Sequence, residues 1–220
     1  MVIPTLDAAA ELPATLAMLA NSPVVHEIVV ADGGSRDATV RIARDAGAEI
    51  IVAPRGRGQQ LAAGAAAAST AWLLFLHADC RLEPGWEQAL TTFFAAPDAA
   101  ARAGYFTLAL DDASPAAQRL ERIVAWRCRL LALPYGDQGL LIARTLYDAV
   151  GGFAAIPLME DVDLARRLGR RRLAALPATA RVSARRYRQG GYIRRPLRNL
   201  ACLSLYFAGV PPRHIARLYG

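Results

Sequence analysis

The sequence contains no lysine. All 26 basic residues among its 220 positions are arginine, so the GKS or GKT of a phosphate-gripping P-loop is missing. Cysteine is scarce: Cys80, Cys128 and Cys202 are odd in number and lack metal-ligand spacing. That argues against a disulfide framework and a structural zinc site, and fits a reduced, cytoplasmic protein. No apolar run reaches the ~20 residues that span a bilayer. The longest, LACLSLYFAGV from Leu200 to Val210, suffices only to lie on a membrane. The N-terminus, MVIPTLDAAAEL, lacks the basic start and apolar block of a signal peptide. Internal repeats and disordered linkers are absent too. The basic residues are scattered, without a recognised module, so nucleic acid is not expected as a partner.

What is present fits one folded domain: 54% of residues are hydrophobic and 20% charged. The net charge of +7 favours anionic partners such as phosphates, nucleotides or acidic lipid surfaces. In the first half, strand-like MVIPTL, EIVVAD, AEIIVA and AWLLFLHAD alternate with helical AAAELPATLAML, SRDATVRIARDAG and QQLAAGAAAAST. This alternation predicts βαβ units and an α/β, Rossmann-like, mostly parallel sheet flanked by helices. Ligands of such sheets sit beyond the carboxyl ends of the strands. Pro4 to Asp7, Asp32 and Asp79 all fall at such ends. The second half is less regular: ARAGYFTLAL reads as an antiparallel strand and PAAQRLERIVAWRCRLLAL as an amphipathic helix.

Several motifs carry chemistry, each with an ordinary structural alternative. Asp32 opens ADGGSRDAT, where the carboxylate suits a nucleobase or ribose; the alternative is a turn and helix cap. Arg55 and Arg57 sit in a glycine-bearing loop before a helix, a setting that suits a pyrophosphate as well as a solvated basic loop. His77 and Asp79, two positions apart, share a face if the strand runs through them. Asp79 suits Mg²⁺ or Mn²⁺ completed by nucleotide phosphates; His77 is either a ligand, a donor-site contact or a hydrogen-bonded core histidine. Glu160, Asp161 and Asp163 cap a helix, and one of them can accept a proton from an attacking hydroxyl. Asp137 and Gln138 lie in GDQG, and SARRYRQGGYIRR, with Arg185, Arg186 and Tyr187, can close over a diphosphate, meet anionic lipid or remain solvated.

Taken in order, these pieces resemble a family 2 glycosyltransferase of the GT-A fold. VIPTLD is similar to that family's opening strand, VVADGGSRDAT to its VVDGGSxDGT element, LLFLHADCRLEPGW to its metal-site strand, and GGFAAIPLMEDVDLARRL to its acceptor-side segment. LHAD with PYGDQG and YFAGVPPRHIARLYG looks closest to a small bacterial subgroup. The resemblance covers roughly residues 1 to 190 and implies a nucleotide-sugar donor, such as a UDP- or GDP-sugar, and a divalent ion. Carried over, Asp32 contacts the base or ribose, Arg57 the nucleotide phosphates and Asp79 the metal, while Pro4, Asp7, Arg55 and His77 fall on the donor side, His77 toward the metal, the ribose or a phosphate. Asp161, paired with Glu160, supplies the base of a single inverting displacement. Asp137, Gln138, Arg185, Arg186 and Tyr187 fall on the acceptor or diphosphate side. The implied division is a donor half (1–98), an acceptor half (99–190) and a helical tail (191–220).

The chain departs from the family at His77, where Asp is common, and at Ala8 and Ala9, where acidic residues are usual. Met1 also lies almost inside the first strand. Two rival readings stand. A sugar-phosphate nucleotidyltransferase needs a glycine-rich basic loop after the first strand, where this chain has PTLDAAAEL. A catalytically silent membrane-binding protein would use Leu120, Ile123, Val124, Leu130 and Leu131 among arginines. A peripheral transferase at the inner membrane face, acting on a lipid-linked acceptor, combines the two.

Overall fold

Four short strands open the chain, three of them largely buried and the third in order an exposed edge, and helices return between them. The computed structural model describes residues 1–219. Its elements run β1 (Val2–Thr5), α1 (Leu12–Leu19), β2 (Val29–Asp32), α2 (Thr39–Asp45), β3 (Glu49–Val52), α3 (Arg57–Ala67) and β4 (Trp72–Phe75). There follow β5 (Cys80–Leu82), α4 (Trp86–Phe94), β6 (Ala103–Leu110), α5 (Pro115–Leu131), β7 (Leu140–Ala143), α6 (Arg144–Ala149) and α7 (Glu160–Leu168). β8 (Leu173–Val182), α8 (Arg185–Gly190), α9 (Arg194–Phe207) and α10 (Pro212–Tyr219) complete the described chain.

The strands form one sheet in the order β3-β2-β1-β4-β7-β6-β8-β5. β1, β2, β3 and β4 are mutually parallel, with Val2 opposite Val29 and Thr5 opposite Asp32. Beyond β4 the sheet is mixed: β7 is antiparallel to β4 and β6, β8 is parallel to β6, and β5 is antiparallel to β8. The strand expected in ARAGYFTLAL is therefore antiparallel on one side only.

Side chains alternate between two cores, as a two-residue period requires. Ile3, Val30 and Leu74 face α1, α4 and α5, whereas Val2, Val29 and Leu73 face α3, α6 and α7. A third cluster joins Val162 and Met159 to Cys202, Leu203 and Ile215 of the C-terminal helices. The three cysteines are free and buried. Among the described residues, no helix is long and apolar enough to cross a membrane.

Three strands, β5, β7 and β8, go beyond those the sequence predicts, and the predicted fourth strand is too long. β4 ends at Phe75, and His77 to Asp79 form a turn into the three-residue β5. β8 contains Pro177, and its register with β6 slips between Tyr105–Ala175 and Thr107–Thr179. The proline thus lies in a bulge, where the absence of its N–H costs no ladder bond.

Candidate active site

Two neighbouring cavities open at the carboxyl ends of β1 and β4. The larger, roughly 680 Å³, is lined by Pro4, Asp7, Arg55, Arg57, Gln60, Arg185 and others. The smaller, roughly 110 Å³, is lined by Tyr135, Asp137, Asp161, Tyr187, Arg195, Asn199 and Tyr219, among others. Arg57, His77, Asp79, Ser183 and Arg186 belong to both walls and mark where the cavities meet.

The rim of the larger cavity is built by two loops bonded to each other. The Asp7 carboxylate accepts the Arg36 N–H (2.8 Å), and the Asp7 N–H donates to Ser35 Oγ (2.9 Å). Ala8 and Ala9 N–H groups donate to Thr39 Oγ1 and Asp37 Oδ2. Asp32 lies beneath them, 2% exposed. It accepts from Thr5 Oγ1 (2.9 Å) and from the Gly34 and Ser35 N–H groups (2.9 and 2.8 Å), and Ser35 Oγ also donates to it. Burial opposes this charge, but the Ser35, Thr5 and Gly34 bonds outweigh burial and hold the carboxyl below its usual value. Asp32 does not line either cavity. Its carboxylate closes the turn through Gly34 and Ser35, as the turn alternative has it, while α2 starts after Ala38 without a side-chain cap.

Arg57 opens α3, and its guanidinium meets the start of α7. Nε donates to Glu160 Oε1, and Nη2 lies 3.9 Å from Asp161 Oδ2. Gly58 permits this approach: a Cβ there would lie 2.8 Å from the Ile156 carbonyl oxygen and closer still to that of Ala154. Burial works against the Arg57 charge, but Glu160 and Asp161 outweigh it and raise its pKa. Burial also drives the Glu160 carboxyl upward, with Arg57 pulling it back. Glu160 is fully buried and lines neither cavity. Its partner Asp161 does reach the smaller cavity, held by the Gly136 N–H on Oδ2 (2.8 Å) and its neighbour's N–H, from Val162, on Oδ1 (2.8 Å).

His77 and Asp79 do not share a strand face, because the strand has ended; the turn nevertheless brings both to the junction of the cavities. Burial, then Arg57 and Arg186, push the His77 imidazole down to about 3, so the ring is neutral. Its Nε2 is buried without a hydrogen-bond partner, contrary to the hydrogen-bonded core alternative at that atom. Gly136 passes so close that a Cβ would lie 2.8 Å from Nε2. Burial raises the Asp79 carboxyl, partly offset by Arg186, and burial likewise raises Asp137, partly offset by Arg127. Asp137 Oδ1 also lacks a partner.

Among the described residues no cluster of three or more His, Cys, Asp or Glu forms a complete metal cage. A divalent ion shared between Asp79 and diphosphate oxygens needs no such cage. The unpartnered His77 Nε2 and the half-buried Asp79, both at the junction of the cavities, fit that arrangement.

Gln138 is a correction. It is 2% exposed and lines neither cavity. Its amide donates to Phe106 O (3.0 Å) and accepts from Arg127 Nη2 (3.0 Å) and the Tyr135 N–H (3.3 Å), so it fixes the turn that carries Gly136. The basic run divides. Arg185 and Arg188 pair with Glu11 and Asp111 at 3.3 and 3.4 Å, while Arg186 lines both cavities. Gln60, which bonds Thr5 O (2.6 Å) and Ala31 O (3.1 Å) from under the larger cavity, had a visible signal in RGRGQQ. Arg195 and Tyr219 belong to the motifs SARRYRQGGYIRR and YFAGVPPRHIARLYG, whereas Asn199 arrives from the tail with no such signal.

The profile of "Glycosyl transferase family 2" matches residues 1–157. No curated protein sequence matches the chain. Among solved structures it is similar to glucosyl-3-phosphoglycerate synthase from Mycobacterium tuberculosis, solved with Mn²⁺, UDP and glucosyl-3-phosphoglycerate: identity is 18%, TM-score 0.60, and coverage 96% of this chain and 79% of that one. Mannosyl-3-phosphoglycerate synthase from Rubrobacter xylanophilus gives 17% identity and a TM-score of 0.61 over 95% of this chain and 74% of that one. S. aureus TarS gives 14% and 0.65 over 99% and 68%. These likenesses identify the mixed sheet and its flanking helices as the GT-A fold, and the profile match over most of the chain shows that this protein belongs to glycosyl transferase family 2.

Proposed function

We propose that the protein transfers a sugar from a nucleotide-diphosphate donor to a hydroxyl acceptor, with inversion and with a divalent ion, and that it belongs to the LHAD-bearing bacterial subgroup. One observation carries this reading: Arg57, Asp79 and Arg186 stand at the junction of two cavities, with Asp161 on the wall of the smaller. The larger cavity takes the donor, its diphosphate at the junction, and the smaller one takes the acceptor. Residues 1–98 then form the donor half, 99–190 the acceptor half, and 191–220 a helical tail.

Asp79 would hold Mg²⁺ or Mn²⁺, with His77 Nε2 as the adjacent nitrogen. When bound, the ion supplies positive charge that stabilises the departing diphosphate. Arg57 and Arg186 add guanidinium charge at the same place. Asp161, held by two backbone N–H groups, removes the proton of the attacking hydroxyl. Glu160 fixes Arg57 from below and takes no proton from the acceptor. Support for donor and ion comes from the mycobacterial relative, whose structure contains UDP and Mn²⁺.

The experiment is donor turnover by Asp161→Asn, with product anomers read by NMR. The variant is expected to lose about 10²- to 10⁴-fold in kcat, and the wild-type product to carry the inverted configuration. A retained product anomer, or an Asp161→Asn variant as fast as wild type, overturns this assignment.

A second reading, peripheral contact with an anionic bilayer, is favoured by the outer face of α5. Leu120 and Val124 pack in the core, but Ile123 and Trp126 are 61% and 60% exposed beside Arg119, Arg122 and Arg129. Apolar and aromatic groups flanked by guanidinium charge suit an acidic lipid interface.

A further inference from the structure

Arg195 and Asn199 of α9 and Tyr219 of α10 line the smaller cavity beside Asp137 and Asp161. Among the described residues, Arg195 has no carboxylate within ion-pairing distance; the arginines that do pair are others. Its Nη2 donates to the Tyr219 hydroxyl (3.3 Å), and its guanidinium lies 5.7 and 6.0 Å from the Tyr187 and Tyr219 ring centres. Neutral groups therefore orient the charge without neutralising it. Such a guanidinium in a half-buried recess is suited to an anion brought by a ligand.

Two further atoms in this cavity are unsatisfied in the opposite sense. Asn199 Oδ1 and Asp137 Oδ1 are both buried and lack a hydrogen-bond donor. Buried oxygens of this kind are costly unless a partner arrives. A cation without an anion and two acceptors without donors together describe a ligand carrying one acidic group and several hydroxyls. A cavity of roughly 110 Å³ suits a small molecule or a headgroup.

We propose that α9 and α10 complete an acceptor subsite for a small, polyhydroxylated anion, a phosphorylated or carboxylated polyol. Arg195 takes the acidic group, and Asn199 with Asp137 accepts from hydroxyls, leaving one hydroxyl toward Asp161. This rests on the transfer reading above and deepens it by assigning the acceptor's class. The anion is either a free solute or the headgroup of a lipid.

The test is calorimetric titration of the full chain, saturated with Mn²⁺ and whichever of UDP and GDP binds. The probes are 3-phosphoglycerate, glycerol 3-phosphate, uncharged glycerol and phosphatidylglycerol vesicles. At least one anionic probe is expected to bind about tenfold more tightly than glycerol, the scale of one charge-assisted bond. Arg195→Gln should lose about that factor and Arg195→Lys recover part of it. Asn199→Leu removes an oxygen that bonds to nothing among the described residues, so it should fold and still weaken the same probe; it carries the test if Arg195→Gln does not fold. Binding of soluble probes assigns a free acceptor, and binding of vesicles alone assigns a lipid headgroup. Anions no better than glycerol in either form, or affinity unchanged in both folded variants, overturns the subsite while leaving the donor reading intact. Binding of an anion through Arg195 in a chain that binds neither nucleotide does the reverse.

Discussion

Adjacent acids in this protein have different fates. Glu160 and Asp161 are consecutive on one helix, yet burial locks the first against Arg57 while two backbone N–H groups hold the second on a cavity wall. Asp32 shows the same divergence between motif and geometry, since its bonds close a loop. Its folded pKa is depressed, so its stabilisation is fully present above the ordinary carboxylate value near pH 4 and is lost as pH falls through the folded value. Asp32→Asn is accordingly expected to cost about 1–3 kcal/mol at pH 7 and clearly less at pH 3. Denaturant unfolding at the two pH values measures this; a cost that does not shrink in acid contradicts the assignment. The sequence showed these residues by type and place, but not which oxygen faces a cavity. Gln138 illustrates this: its amide is bonded inward to Phe106, Arg127, Cys128 and Tyr135.

At the level of elements, the parallel strands were legible because each is a short aliphatic run bounded by helical periodicity. β5 has only three residues and β8 contains a proline, so neither carried a pattern; only pairing with β6 and with each other makes them strands. The boundary of β4 mattered most, because Leu76 continues the aliphatic run that the backbone has already left. The approach of α3 to α7 is likewise invisible in local sequence, although the glycine that permits it is plain. Gly58→Ala would press a methyl group against the Ala154 and Ile156 carbonyls and move Arg57 away from Glu160. A loss of about 1–3 kcal/mol in stability is expected, accompanied by weaker nucleotide binding. An alanine variant with unchanged thermal unfolding and nucleotide affinity would show that this close approach does not position Arg57.

Over the whole molecule, the α5 surface and the +7 charge bear on where the protein acts. Co-sedimentation with phosphatidylglycerol vesicles is expected to exceed that with phosphatidylcholine, to fall as salt rises, and to drop in Trp126→Ser; equal sedimentation with both lipids contradicts the bilayer reading. The fold and much of the lining of the larger cavity were thus readable from the first half of the chain, where motif and strand end coincide. The smaller cavity was not, because its walls join Tyr135, Asn199 and Tyr219, which only the tertiary fold brings together. The central claim is that the junction of the two cavities binds a nucleotide diphosphate through Asp79 and a divalent ion. Its most direct test is titration calorimetry of the purified protein with UDP, GDP and dTDP, with and without Mn²⁺, repeated on Asp79→Ala. One nucleotide is expected to bind only with the ion and to lose that binding in Asp79→Ala. Binding that ignores both ion and Asp79, or no binding by any of the three with Mn²⁺ present, contradicts it.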